Sequence, residues 1–126
     1  MFMREIHAEA YALMRIIAGF LLVCHGASKL FDFPMPPPEI PPMVTYIAGP
    51  IELVCGFLVM VGLFADWAAF PCSVLMALAY WIVHGTRALF PIQNSGEMAV
   101  LFCFVFFFIS SQGSGIWSLD ALRRKT

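Results

Sequence analysis

Four apolar runs, each close to the length that spans a bilayer, constrain this chain more than anything else in it. They cover about Tyr11 to Leu30, Val44 to Phe64, Trp67 to His84 and Gly96 to Gln112. A helix rises 1.5 Å per residue, so about 20 apolar residues cross a hydrocarbon core about 30 Å thick. In lipid no water satisfies the backbone, so such runs must be helices. The sequence therefore predicts an all-α fold: a four-transmembrane-helix bundle in one domain, residues 1–126, made of two antiparallel hairpins.

Composition agrees. The 126 residues are 61% hydrophobic and only 12% charged. Soluble domains average roughly 45–50% apolar and 25% charged. A soluble fold of this size could not bury so much apolar surface. Net charge is −1 and the bases are dispersed, which excludes a nucleic-acid partner. The four cysteines, Cys24, Cys55, Cys72 and Cys103, sit inside apolar runs without a CxxC. They read as small hydrophobes in the core. The first run follows a base, as a signal peptide would. Glu5, Glu9, Arg15 and Lys29 fit that reading poorly, and it is expected to stay as a span.

The connections set the topology. Residues 31–43, "FDFPMPPPEIPPM", hold six prolines and cannot be helical. Pro50 is expected in the first turn of the second span, where its missing N–H costs nothing. Only Ala65-Asp66 separates the second and third spans. The tail, 113–126, breaks at Gly113 and Gly115, and a short amphipathic helix starts near Ser118-Leu119-Asp120. Arg4, Arg123, Arg124 and Lys125 lie at the two termini, which four spans bring to one side. Lys29 and Arg87 lie at the other. The excess of bases makes the termini cytoplasmic, in the plasma (inner) membrane of a bacterium, with the Pro-rich loop outside.

Polar groups within the runs gather at the outer end. His25 and Lys29 close the first span, Glu52 lies in the outer half of the second, and His84 ends the third ahead of Arg87. Gln93, Asn94 and Glu97 lead into the fourth. An ionised group in hydrocarbon costs on the order of 3 kcal/mol, so it faces inward and pairs. His25 and Lys29, four apart, share a helix face. Glu52 is expected to pair with Lys29 or His25, and Glu97 with His84 or Arg87. Glu52, His84, His25 and Glu97 form a candidate proton relay. Lys29, Arg87, Gln93 and Asn94 are candidate substrate-binding groups. The plainer alternative is that Lys29, Arg87 and Glu97 snorkel to the interface and the histidines cap helices. At the inner end, Arg15 is expected to form a structural ion pair with Asp66 or Asp120. Gly19, Gly26, Gly49, Gly56 and Gly62 permit close helix approach. No metal site is assigned.

"VCHGASKLF" (23–31) and "IVHGTRALF" (82–90) match without gaps at His, Gly, Leu and Phe. Each precedes Pro-Ile and an acid that opens an apolar run with one Cys. The two antiparallel hairpins are therefore compatible with a parallel repeat about an axis along the membrane normal.

Three stretches resemble the DoxX family of small integral membrane proteins. "MRIIAGFLLVCHGASKLF" is similar to its opening signature, "IELVCGFLVMVGLFADWAA" to its second, and "NSGEMAVLFCFVFFFISSQGSGIWSLD" to its ending. The resemblance falls on Arg15, His25, Lys29, Glu52, His84, Glu97 and Asp120. It implies a four-helix membrane bundle. It also implies a link to redox systems: some relatives are described as the small membrane subunit of a thiosulfate:quinone oxidoreductase, others as parts of complexes resisting oxidative stress. The long Pro-rich loop departs from the family pattern.

Two functions follow as expectations. In the first, the chain is the membrane subunit of a quinone- or sulfur-linked redox system. No haem CxxCH, iron–sulfur set or nucleotide loop is present in the sequence. It thus has no intrinsic cofactor; a quinone is the candidate partner molecule, and electrons come from another protein subunit. In the second, the chain is a non-enzymatic accessory or assembly subunit of a larger membrane complex, or a homo-oligomer, and the polar cluster only fastens the helices. A small transporter is a third class.

Overall fold

A computed structural model of the chain describes residues 2–125. A 3-10 turn, Phe2–Ile6, leads into α1 (His7–Phe31). There follow α2 (Pro42–Val61), α3 (Ala65–Ala79) and the short α4 (Pro91–Asn94). The chain closes with α5 (Glu97–Gln112) and α6 (Leu119–Lys125). A π-helical turn, Tyr80–His84, prolongs α3 without a break. Among the described residues there is no strand.

Three helical stretches are long and apolar enough to cross a membrane: Phe2–Phe31, Pro42–Val61 and Ala65–His84. Only 28–33% of each apolar window is buried inside the protein. The remaining faces carry exposed Leu13, Phe57, Phe70 and Leu78, a surface suited to lipid rather than water. The fourth apolar helix, α5, has 16 residues and so extends about 24 Å.

α1 packs chiefly on α2, and α3 chiefly on α5, so the chain is two hairpins laid together through α2 and α3. Glycine sets the first hairpin. A Cβ on Gly19 would stand 2.5 Å from Met60 N and 2.7 Å from Gly56 O, and one on Gly26 would stand 2.5 Å from Leu53 N. Backbone meets backbone there, as small residues allow in lipid. Leu22, Val59, Ala69, Cys72, Phe106 and Ile109 form the shared core. All four cysteines are free.

Two local expectations are corrected. α2 begins at Pro42, so Pro50 is an interior residue rather than a first-turn one. It can donate no hydrogen bond back to the Tyr46 carbonyl. The α2–α3 turn is 62–64, and Asp66 already lies in the first turn of α3. Gly62, at φ 74°, stops α2 because it tolerates the left-handed region. An acid in the next first turn suits the helix dipole.

The tail folds back on the termini end of the bundle. Tyr11 donates its hydroxyl to Gly113 O at 2.6 Å. The Asp120 N–H reaches Gly62 O at 3.0 Å. Ser114 Oγ donates to Asp120 Oδ2 at 2.6 Å, and the same carboxylate accepts the Phe64 N–H at 2.8 Å. The start of α1 and the described part of the tail thus lie at one end of the bundle.

Candidate functional site

The opposite end holds the site. α1 delivers Lys29 one turn beyond Gly26, where the backbone of α2 comes close at Leu53. Lys29 Nζ donates to Glu52 Oε1 at 2.5 Å and to Oε2 at 2.7 Å. Glu52 is 2% exposed and Lys29 15%. A fully hydrogen-bonded pair is the form in which buried charges persist, and Lys29 is one of the two partners anticipated for Glu52.

Beside that pair lies a partly open cavity of about 510 Å³ lined by residues of α1, α2, α3, α5 and the Pro-rich loop. Its walls are mostly aliphatic, with Leu22, Ile47, Met76 and Ile82 among them. The polar side chains on it are His25, Ser28, Lys29, His84 and Ser95. Glu52 does not line it, so the carboxylate stands behind the lysine. Pro37, Pro38 and Ile40 close the loop side. Ser28 Oγ fixes that loop by donating to Met35 O at 2.7 Å.

The two histidines differ. His25 is exposed, sits edge-on to Phe102 with ring centroids 6.3 Å apart, and makes no hydrogen bond among the described residues. His84, on the π-helical turn, places Nδ1 3.0 Å from Asn94 O. Asn94 is 2% exposed. Its Nδ2 donates to the Tyr80 hydroxyl and to Ala88 O, both at 3.2 Å, while its Oδ1 accepts the Gly96 N–H at 2.9 Å. Asn94 is thus a fully engaged structural residue. Its two-residue Asx turn was readable in "NSG", whereas Tyr80 gave no signal as its partner.

The expected pairing of Glu97 with His84 or Arg87 does not form. Glu97 is the first residue of α5, exposed, and has no ion pair among the described residues; the helix N-terminus itself accommodates its charge. Arg87 is exposed, and Gln93 spends its Oε1 on the Phe90 N–H at 3.3 Å. Neither lines the cavity.

The expected ion pair at the termini end is also replaced. Arg15, 0% exposed, donates to four carbonyls: Val59 and Met60 at 2.8 Å, Trp117 at 2.8 Å and Ile116 at 3.3 Å. Asp66 is exposed and Asp120 pairs with Arg123 at 3.1 Å. The last carbonyls of α2 have no intrahelical partner, and the planar guanidinium serves several at once. Among the described residues no three His, Cys, Asp or Glu side chains converge as metal ligands.

Apolar helices exposed over most of their surface, with a buried ion pair beside an apolar cavity, define a small helical membrane protein. The family model described as DoxX matches residues 10–85, and the chain belongs to the DoxX family. The matched range contains Arg15, His25, Lys29, Glu52 and His84; Glu97 and Asp120 lie beyond it. The chain is similar to a Haemophilus influenzae protein described as uncharacterised, at 34% identity over 116 residues, covering 86% of this chain and 87% of that one. A second uncharacterised H. influenzae protein is 26% identical over 94 residues, covering 74% of this chain and 62% of that protein. No solved structure matches the chain at a comparable significance.

Proposed function

We propose that this protein is the membrane subunit of a quinone-linked redox system, binding a ring-type apolar molecule in the cavity at the Lys29 end. The observation that carries the reading is the coincidence of an apolar cavity of about 510 Å³ with Lys29, His25 and His84 on its wall. Ligand cavities of about 300–1,000 Å³ take small molecules, with a few polar groups fixing orientation. Lys29 and the histidines contact the ligand, and Glu52 positions Lys29. Electrons come from a partner subunit.

In this reading α5 is a fourth span. Its length of about 24 Å is extended by the flanking 91–96 segment, and its pairing with α3 supports an antiparallel return. The termini, with Arg4, Arg123, Arg124 and Lys125, face the cytoplasm of a bacterial inner membrane. Two hairpins of like direction also support the repeat.

The test is purification in mild detergent with mass spectrometric identification of bound molecules, followed by titration with a short-chain benzoquinone. Cavity-filling Ala99→Phe and Ala48→Phe should abolish retention and titration without preventing insertion. If the wild type retains and binds no ring compound, the accessory reading replaces this one. The Lys29–Glu52 lock between α1 and α2 would then be purely mechanical.

A further inference from the structure

The hydrogen bonds already made by two residues of the cavity wall, His84 and Lys29, leave an acceptor on the first and a donor on the second. His84 Nδ1 lies 3.0 Å from a backbone carbonyl oxygen, that of Asn94. A carbonyl only accepts, so Nδ1 must carry the hydrogen, and in the neutral ring Nε2 is then a lone-pair acceptor. Lys29 is the reverse. An ammonium has three N–H groups and no acceptor. Two of the three are committed to Glu52, and one remains. The lysine charge is balanced within the pair, so this stretch of wall offers a donor without a net charge.

We infer that the cavity selects a hydroxylated ring of the hydroquinone or phenol type, its O–H donating to His84 Nε2 and a second oxygen accepting from Lys29 Nζ. The inference deepens the reading of this cavity as a quinone-type site and rests on it. It separates ligand classes that the side-chain inventory alone leaves together. An oxyanion of sulfur would enter a mostly apolar space whose lysine charge is already balanced by Glu52, so the few remaining donors on the wall offset its desolvation cost only in part. A fully oxidised quinone satisfies Lys29 but has no hydrogen for His84, leaving a polar nitrogen unpaired against the ligand. A hydroquinone satisfies both. His25, bound to nothing else, can supply either role and does not discriminate. Phe102, held edge-on by His25, and Ala99 form part of the apolar wall.

The experiment compares three ligands on the full chain in detergent, without oxygen: an alkyl benzohydroquinone, its quinone, and its 1,4-dimethyl ether. The ether keeps ring and oxygens but has no O–H. The hydroquinone is expected to bind about tenfold tighter than the ether. His84→Asn retains an amide N–H where Nδ1 stood, so the bond to the Asn94 carbonyl persists, but it removes Nε2. That variant should bind hydroquinone and ether within about twofold of each other, with an unchanged unfolding temperature. His84→Gln, which places its amide at the Nε2 position, should recover part of the preference. Equal binding of hydroquinone and ether to the wild type overturns the inference while leaving the quinone-type site standing. Retention of the preference by His84→Asn overturns it equally. Binding of none of the three overturns the underlying functional reading as well.

Discussion

α1 carries two cations 14 positions apart, the buried Arg15 and the partly buried Lys29, about 21 Å along the axis, and the chain treats them in opposite ways. Arg15 is sealed, 0% exposed, and bound only to neutral carbonyls from α2 and the tail. Lys29 is paired with a carboxylate, 15% exposed, and open on one side to a cavity. The first arrangement is a knot. It joins three segments, and a guanidinium cannot lose its charge there. The second keeps one N–H and one open face in reserve. Burial of a charge at one end fastens the fold; at the other, in the function proposed above, it leaves a group to bind with.

The largest effect expected is at the knot. Arg15→Met leaves buried carbonyls on α2 and in the tail without donors and should cost about 4 kcal/mol. Thermal unfolding in detergent and protease cleavage near Gly113–Gly115 read it. Ligand affinity per folded molecule should stay the same; a selective loss of binding would erase the distinction between the ends.

Next is the pair. Lys29→Met strands a carboxylate that is 2% exposed and should cost about 3 kcal/mol. Adding Glu52→Leu should restore most of that stability without restoring ligand binding. Recovery of both together would make the pair a fastener like Arg15.

Gly26→Ala places a methyl against the Leu53 backbone and should cost about 2 kcal/mol by overpacking. It should also weaken binding, because α1 must shift at the turn that carries Lys29. Unfolding and quinone titration on one sample separate the two effects.

The smallest effect concerns Asp120, beside the knot. Partial burial raises its carboxyl pKa, but hydrogen bonds from Ser114 and Phe64 and the Arg123 charge outweigh this and hold it below the usual value. A depressed folded pKa contributes stability above the unfolded pKa of about 4, lost as pH falls through the folded value. Protease protection of the tail should hold from neutral pH down to about 4 and decline only below it. Asp120→Asn should remove that decline and loosen the tail at neutral pH by about 1 kcal/mol, the difference from wild type shrinking below about pH 4.

What was legible in the sequence was local or periodic. The apolar runs located α1, α2 and α3 within a few residues, because only a helix satisfies backbone in lipid. Gly19, Gly26, Gly49 and Gly56 announced a close interface, and Lys29 was one of two partners named for Glu52. Glu97 misled because rank along the chain does not tell which way the first residue of a helix points. Arg15 misled because carboxylates are the visible partners of cations, while carbonyls belong to every residue and mark none. Pro50 sits inside α2 because tertiary packing tolerates one missing bond.

The sequence by itself determined that this chain is helical and belongs in a membrane. Those properties follow from composition and from spacing within single segments. Tertiary structure alone decided which cation is sealed and which stands at a cavity. Val59 and Met60 lie 44 and 45 residues from Arg15 and Trp117 lies 102 away, separations that no pattern within one helix encodes.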